Sequence, residues 1–515
     1  MKVASTFIGR WFLLDGCGKQ RQRSGSRFTT EIRAGLTTWA AMAYIISVNA
    51  SIISDTGGTC VCTSSNNCAN DVAYLSCVGE VKQDLITTTA AICALASCLI
   101  GLLANFPVGL GPGLGLNVYF AFAVVGHHGS GMITYREALG AVFMSGWIFL
   151  FLSLVGLRQW LARIMPQSLI FAICAGIGLF IAFIGLSSSG LGVVGGSTST
   201  YVTLGGCLPQ DYVSPDLVGY CNGRVLRSPT MWLGIFLGGV LTVLLMTYRV
   251  QGAILIGIFL TAIVSWPRST AVTYFPRTAA GDEMFDFFKQ IVTFRKLKMI
   301  GNVIDYNYRS PHVWYAVTIF LYVAILDTAG TLYSMANFAG LHDPLTLDFE
   351  NSTIAYCVNA FCIIIGALMG TSPVIPFAES ATGITEGGKT GLTAITIGIA
   401  FFISIFFAPI FASIPPWAIG GALVIVGSLM MRNIAYGVVV GIVSYGLLNG
   451  IPYLLMKATG GRIMPPDYQI RVTPRGSVLP GWTLKLFGWN KKNPESSAER
   501  KLDSDESVGG ATESV

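Results

Sequence analysis

The chain has 515 residues, 53% of them hydrophobic and only 11% charged, where a soluble protein carries about a quarter charged residues. This balance excludes a soluble globular enzyme and places the chain among polytopic membrane proteins, in which each long apolar run reads first as a span. The net charge of +6 is no nucleic-acid signature, because the basic residues gather at the termini and in loops, as orientation in a membrane requires.

The first 31 residues are basic and glycine-bearing, and Met1–Phe28 lacks the apolar stretch and small-residue site of a cleavable signal. Candidate spans then follow at 32–54, 86–106, 112–125, 137–157, 168–187, 231–247, 252–267, 313–335, 353–370, 376–386 with its continuation, 391–411, 417–431 and 434–456. The third and tenth are too short and too rich in glycine to cross as regular helices. Between the seventh and eighth, Asp282–Ile300 mixes Phe285, Phe287, Phe288, Ile291, Val292 and Phe294 with Lys289, Arg295, Lys296 and Lys298. That pattern reads as an amphipathic helix lying in the interface. Residues 457–515 form a basic, then acidic tail, and Glu495–Val515 has the composition of a disordered segment.

The polar loop after the first span holds Cys60, Cys62, Cys68 and Cys77, and a later loop holds Cys207 and Cys221. Their spacing fits no zinc pattern. If both loops are extracellular, disulfides are expected, with pairing that spacing cannot decide. Cys174, Cys357 and Cys362 lie in spans and read as packing residues.

Internal similarity organises the whole chain. Four segments of the first half recur in order in the second: Met42–Ile52 with Leu321–Thr331, Asn105–Phe120 with Gly370–Gly383, Thr134–Phe143 with Gly388–Ile397, and Arg163–Leu179 with Ser413–Leu429. The first unit holds seven spans, an odd number, so the second must enter the membrane inverted, the arrangement of many secondary transporters. The fold class expected is an all-α polytopic membrane protein with a 7+7 inverted repeat. The second unit is one span short. After Leu429 only 434–456 remains, while both termini are basic and both ask to be cytoplasmic. A helix, with its loop on the order of 30 residues, is therefore expected to be absent at Met431/Arg432, as a splice variant or an imperfect gene model would leave it. The inverted arrangement also places Arg268–Ser310 outside despite its Lys and Arg residues.

Few residues could carry chemistry. Asp327 lies mid-span, where a charge costs about 2.5–3.5 kcal/mol on insertion scales. It reads either as a structural polar residue bonded to a facing helix or as a proton or substrate site. Glu379 lies in the broken segment Pro373–Leu392, beside Pro376 and Gly383. Irregular backbone at membrane depth survives only when packed in protein or lining a cavity, so an acid there points to a binding site. Glu386, two turns on, reads as a helix-terminal polar residue, and Lys389 as an anchor reaching toward headgroups. Asn117 is the first repeat's counterpart of Glu379, led by Gly109, Gly111, Gly113 and Gly115. An amide and a carboxylate together can read the donor and acceptor edge of a planar heterocycle. Tyr119, Phe120 or Phe377 could stack on it, or simply pack. Asn49 is either a helix–helix hydrogen bond or a supporting group. His127 and His128 read as loop residues. No metal cluster, nucleotide-binding loop or catalytic triad is present, so no metal, cofactor or enzyme activity is expected. The Asn351 sequon falls on the cytoplasmic side and should be unused.

The stretches GPGLGLNVYF, ILDTAGTLYSMA, ESATGITEGGKTGLTAI and FFAPIFASIPPWAIGGALVIVGS resemble the AzgA-like purine permeases, relatives of the nucleobase–ascorbate transporters. The resemblance runs from about Phe28 to Leu455. It implies a multi-pass plasma-membrane carrier that takes up adenine, guanine and hypoxanthine, and in plant members adenine-type cytokinins, by proton symport with alternating access. It implies a core of 32–157 and 313–411 (spans 1–4 and 8–11) and a gate of 158–281 and 412–456, the latter incomplete. The flanking segments are then 1–31, the connecting stretch 282–312 and the tail 457–515. Half-helices 3 and 10 would hold the substrate through Asn117, Glu379, Gly115 and Phe377, with Asp327, Glu379 and Asn49 in proton coupling or support. The partners implied are purine nucleobases, protons and the lipid bilayer. Oligomeric state stays open, a homodimer included. Two departures stand out: the family's acid-x-x-Asp in the eighth span begins here with Ala324, and its thirteenth helix has no counterpart. A carrier of another nucleobase or an anion, or a transport-impaired isoform, is the alternative.

Overall fold

The computed structural model describes residues 5–18, 22–61, 72–156, 179, 182–186, 190–193, 228–248, 250, 252–277, 279–293, 303–343 and 348–431. Most of the expected span 168–187, the span 434–456, the tail and the Met431/Arg432 junction lie outside them, as does the second of two compact units, Val439–Val515.

A short helix, α1 (Phe7–Trp11), precedes the first span. That span is divided into α2 (Phe28–Met42) and α3 (Ile45–Ser54). The second, α4 (Val72–Leu99), runs into a wider turn at Ile100–Ala104 and begins well before residue 86. Its outer part carries Glu80, Lys82, Gln83 and Asp84, too polar to be read as a span from hydropathy. After a short extended segment, β1 (Leu110–Pro112), comes the half-helix α5 (Leu114–Val118), which widens at Tyr119–Val125; α6 (Tyr135–Val155) follows. A span in three parts, α7, comprises Pro229–Leu233, the wider turn Gly234–Val240 and Leu241–Thr247, and leads to α8 (Ala253–Ser265). The amphipathic segment forms α9 (Ala279–Lys289), shorter than expected; Phe285 and Phe288 turn toward Phe275, and Phe288 also meets Trp266.

The second repeat opens with α10 (Pro311–Phe338). A two-residue ladder, β2 (His342–Asp343) with β3 (Asp348–Phe349), leads to α11 (Ser352–Leu368). Then come β4 (Val374–Pro376), the half-helix α12 (Ser380–Thr385), α13 (Gly391–Ile405), α14 (Ala408–Ala412) and α15 (Pro416–Met431). Among the described residues, Phe28–Ser54, Ser76–Ala104, Tyr135–Val155, Pro229–Met246 and Pro311–Phe338 are long and apolar enough to cross a bilayer unaided. The shorter apolar helices include α8, α11 and α13.

The two repeats meet at the broken segments. β1 pairs antiparallel with β4, with Leu110 opposite Pro376, Gly111 opposite Ile375 and Pro112 opposite Val374. The ladder continues at both ends, from Gly113 N to Pro373 O (3.0 Å) and from Phe377 N to Gly109 O (3.0 Å). This pairing joins the segments that the sequence repeats align, 105–120 and 370–383. It also satisfies backbone groups that lipid could not. A side chain at Gly111 would meet Cys93 Sγ (2.9 Å) and Phe377 Cε2 (3.1 Å), and one at Gly113 would collide with Ile375, so this crossing requires glycine.

The connections sort to two ends. At one end, His128 N donates to Asp55 O (3.0 Å), the Tyr74 hydroxyl meets His128 Nδ1 (2.8 Å) and Lys82 Nζ reaches the Tyr274 hydroxyl (3.5 Å). Asp305 N donates there to Arg136 O (3.1 Å), and Thr293 N to Phe406 O (3.1 Å). The described parts of 268–310 therefore share an end with the cysteine-bearing loop, as the inverted arrangement requires and against the expectation from their Lys and Arg residues. Cys60 and Cys77 form a disulfide in that loop. Cys62, Cys68, Cys174, Cys207 and Cys221 lie outside the described residues. Cys362 is buried and Cys357 partly so, as packing residues.

At the opposite end the N-terminal segment folds onto the protein. Arg23 is buried and donates to Asn105 O (2.7 Å) and to Lys389 O, with Glu350 3.6 Å from the same guanidinium. Burial pulls the Arg23 guanidinium below its ordinary range, while Glu350 and Glu31 oppose that shift. Glu31, also buried, accepts from Lys389 N (3.0 Å), Thr390 N (3.1 Å) and Thr393 Oγ1 (2.6 Å). It thereby caps the start of α13, where unpaired N–H groups favour a carboxylate.

Candidate functional site

The antiparallel crossing sends α5 and α12 off from opposite ends of the ladder, and most of the predicted residues lie on or around these two half-helices. Asn117 lies on α5, 0% exposed, and its backbone N donates to Gly113 O (2.7 Å). Neither Oδ1 nor Nδ2 of its side chain has a hydrogen-bond partner. A buried amide with all its capacity unused is rare, because each unmade bond costs about 1–3 kcal/mol. Gly115 precedes it on the same turn, half-buried.

Glu379 sits immediately before α12 and is half-buried. Its Oε1 accepts a hydrogen bond from the hydroxyl of Tyr44 (2.8 Å), a residue 1% exposed at the junction of α2 and α3. The next residue, Ser380, accepts at Oγ from Gly109 N (3.0 Å), which ties the start of α12 to the first repeat. Asp327 lies mid-way along α10, half-buried, with its Oδ1 accepting from Thr331 Oγ1 (3.4 Å). The Asp327 and Glu379 carboxylates are near enough to interact electrostatically, and α12 packs on α10.

The other residues divide. Asn49 is buried in α3 and donates from Nδ2 to Thr89 Oγ1 of α4 (2.7 Å), the helix–helix bond that was one of its two readings. Phe377 is buried with its ring against Gly111, where it walls the ladder. Phe120 packs against Tyr135 and Phe320 as a core aromatic, while Tyr119 is half-buried, edge-on to Phe320. His127 and His128 form a loop turn, as expected. Glu386 ends α12 and pairs with Arg33 (3.1 Å). Lys389 Nζ donates to Ser24 O (3.0 Å) of the N-terminal segment. Among the described residues no group of His, Cys, Asp and Glu could hold a metal ion. Tyr44 escaped the sequence reading. Its signal was a lone hydroxyl-bearing ring in MAYIIS, inside a segment the repeats pair with the span of Asp327.

A backbone crossing between the repeats is thus accompanied by two carboxylates and one unpaired amide. The sequence matches the xanthine/uracil permease profile, described as a permease family, over residues 71–440. It is 51% identical to a Schizosaccharomyces pombe protein provisionally named a xanthine/uracil permease, covering 97% of this chain and 85% of the relative. It is also 51% identical to an efflux pump of Aspergillus versicolor, over 94% and 88% of the two chains. The guanine/hypoxanthine permease PbuO of Bacillus subtilis is 35% identical over 79% of this chain and 81% of its own. Murine Slc26a9, an anion transporter solved in its inward-facing state, shares the fold at a TM-score of 0.50 and 13% identity, over 82% of this chain and 63% of that one. The chain belongs to the xanthine/uracil permease family of integral membrane transporters and is not an enzyme.

Proposed function

We propose that this protein is a secondary carrier that imports purine nucleobases (adenine, guanine, hypoxanthine and adenine-type cytokinins) across the plasma membrane by proton symport with alternating access. The observation that carries this reading is the buried, unpartnered amide of Asn117 on a half-helix that meets the half-helix of Glu379 through the β1–β4 crossing. Guanine and hypoxanthine present ring N–H donors beside ring-nitrogen and carbonyl acceptors, and adenine an N–H and an exocyclic amine beside ring nitrogens. An amide can give and take one bond each, and a carboxylate takes the N–H. Asp327 and Glu379 are the groups that would carry the coupled proton. The names of the PbuO relative and of the xanthine/uracil relatives support a nucleobase as the solute.

Initial uptake of labelled adenine, guanine, hypoxanthine and uracil in a transport-deficient host tests the reading. Purine uptake that falls on addition of a protonophore and is lost in Glu379→Gln is the expected result. Rates unaffected by the protonophore would remove the proton from the mechanism, and uracil as the sole substrate would remove the purine.

A transport-impaired form is the second reading, favoured by Ala324 and by the comparison of lengths. The alignment with the S. pombe relative runs over 533 positions, more than the 515 residues of this chain, so the relative holds segments that this chain lacks. That agrees with an absent gate helix. Because one relative is named an efflux pump, release of preloaded purine belongs in the same assay.

A further inference from the structure

The Tyr44–Glu379 bond joins two elements that meet at the site. α2 and α3 are interrupted at Ala43–Tyr44, yet the backbone stays right-handed there, and Tyr44 O still accepts from Ser47 N (3.2 Å) and Val48 N (3.1 Å). The junction is therefore a firm base for the ring, which is sealed from solvent with only its hydroxyl aimed at Glu379 Oε1. Glu379 itself stands on weaker ground. It precedes a six-residue helix, and the residue is only partly buried. A glutamate so placed has three rotatable bonds and would sample many orientations. One short bond from a rigid phenol removes most of them, and an acceptor fixed before the ligand arrives binds with less ordering cost.

We propose that Tyr44 is a positioning residue for substrate recognition: its hydroxyl fixes the plane of the Glu379 carboxylate so that the acid meets the N–H edge of a purine ready-oriented. This rests on the purine-carrier reading above. Tyr44 does not touch the solute; it acts through Glu379. Its removal therefore weakens binding without slowing the conformational cycle, and it does nothing once Glu379 can no longer serve.

The test is Tyr44→Phe, which keeps the buried ring, compared with wild type at matched surface level. For labelled adenine, guanine and hypoxanthine, KM rises about tenfold, the effect of one bond to a charged group, while Vmax stays within about twofold of wild type. In the Glu379→Gln background the same change has no further effect on residual binding of labelled purine, because the two residues act as one unit. An unchanged KM, a fall confined to Vmax, or additive losses in the double variant would overturn the proposal. A second readout is independent of transport. In infrared difference spectra of the purified protein, the carboxyl band that disappears in Glu379→Gln shifts in Tyr44→Phe; an unshifted band overturns the proposal even if uptake changes. If the wild type moves no purine but the band shifts, the purine reading falls and the coupling of Tyr44 to Glu379 stands.

Discussion

Asn49 of the first span and Thr328 of the eighth occupy matching positions in the two repeats, and each closes an amide-to-hydroxyl bond to the span that follows, with donor and acceptor exchanged. Asn49 Nδ2 donates to Thr89 Oγ1 (2.7 Å), and Thr328 Oγ1 accepts from Asn359 Nδ2 (3.0 Å). All four side chains are buried. The repeat has therefore kept a polar clasp between its first two helices while its residues changed.

That clasp predicts matched stability losses. Asn49→Ala and Asn359→Ala should each cost about 0.6–1.7 kcal/mol, the range for interhelical bonds within membranes. Thermal unfolding of the purified protein in detergent measures both. A loss at one position with none at the other would mean that the two clasps do not carry equal load.

Asn117 should behave in the opposite way. Its side chain makes no hydrogen bond, so replacing it with leucine, which has the same branching, removes a desolvated amide worth about 1–3 kcal/mol of unmade bonding. Asn117→Leu is expected to unfold at the same or a higher temperature than wild type and to lose purine uptake. Lower stability together with retained uptake would place Asn117 in the packing rather than the site. Such a trade of stability for binding is what a preformed site looks like from the thermal side.

These cases show where the sequence was legible. The spans over 137–157, 313–335, 353–370 and 417–431 emerged within a few residues of α6, α10, α11 and α15, because apolar runs that long have few alternatives in a membrane. The crossing of the half-helices was legible from glycine, proline and the order of the repeats. Hydropathy hid the outer turns of α4, whose polar residues belong to a helix held by packing and by the Cys60–Cys77 disulfide. It also hid Tyr44 and Arg23, whose roles depend on partners 335 and 366 residues away in the chain. No local pattern carries a contact of that span, and the disulfide pairing was undecidable for the same reason.

Arg23 offers a test of the folded N-terminal segment. Its guanidinium gathers Asn105 O of the first repeat with Lys389 O and Glu350 of the second. Arg23→Gln should release residues 7–27 and cost about 1.5–3 kcal/mol, the scale for bonds to a charged group. Lysine should rescue poorly, because one ammonium cannot reproduce the fork geometry. Hydrogen exchange reports the outcome: faster exchange over residues 7–27, with residues 114–125 unchanged. Unchanged protection of the N-terminal segment would show that its other contacts, such as Trp11 Nε1 to Leu102 O, suffice without the arginine.

Ala324 tests whether the carrier is weakened at its centre. It is buried on α10, three residues before Asp327, so both positions lie on one helix face. The resemblance to AzgA-like permeases implies an acid there. Ala324→Asp adds a carboxylate one turn from Asp327, on the helix against which α12 packs. A further acid one turn from Asp327 favours retention of a proton within the group, and that proton is available for transfer or donation to a solute. The expected outcome is a several-fold rise in protonophore-sensitive purine uptake at unchanged surface level. Asp327→Asn in the same background should cancel the gain, because it removes one of the coupled charges while keeping the shape. No gain at matched surface level would show that alanine is native to this site and that Asp327 and Glu379 serve the proton alone. A gain that survives Asp327→Asn would assign the new acid to the purine rather than to the proton.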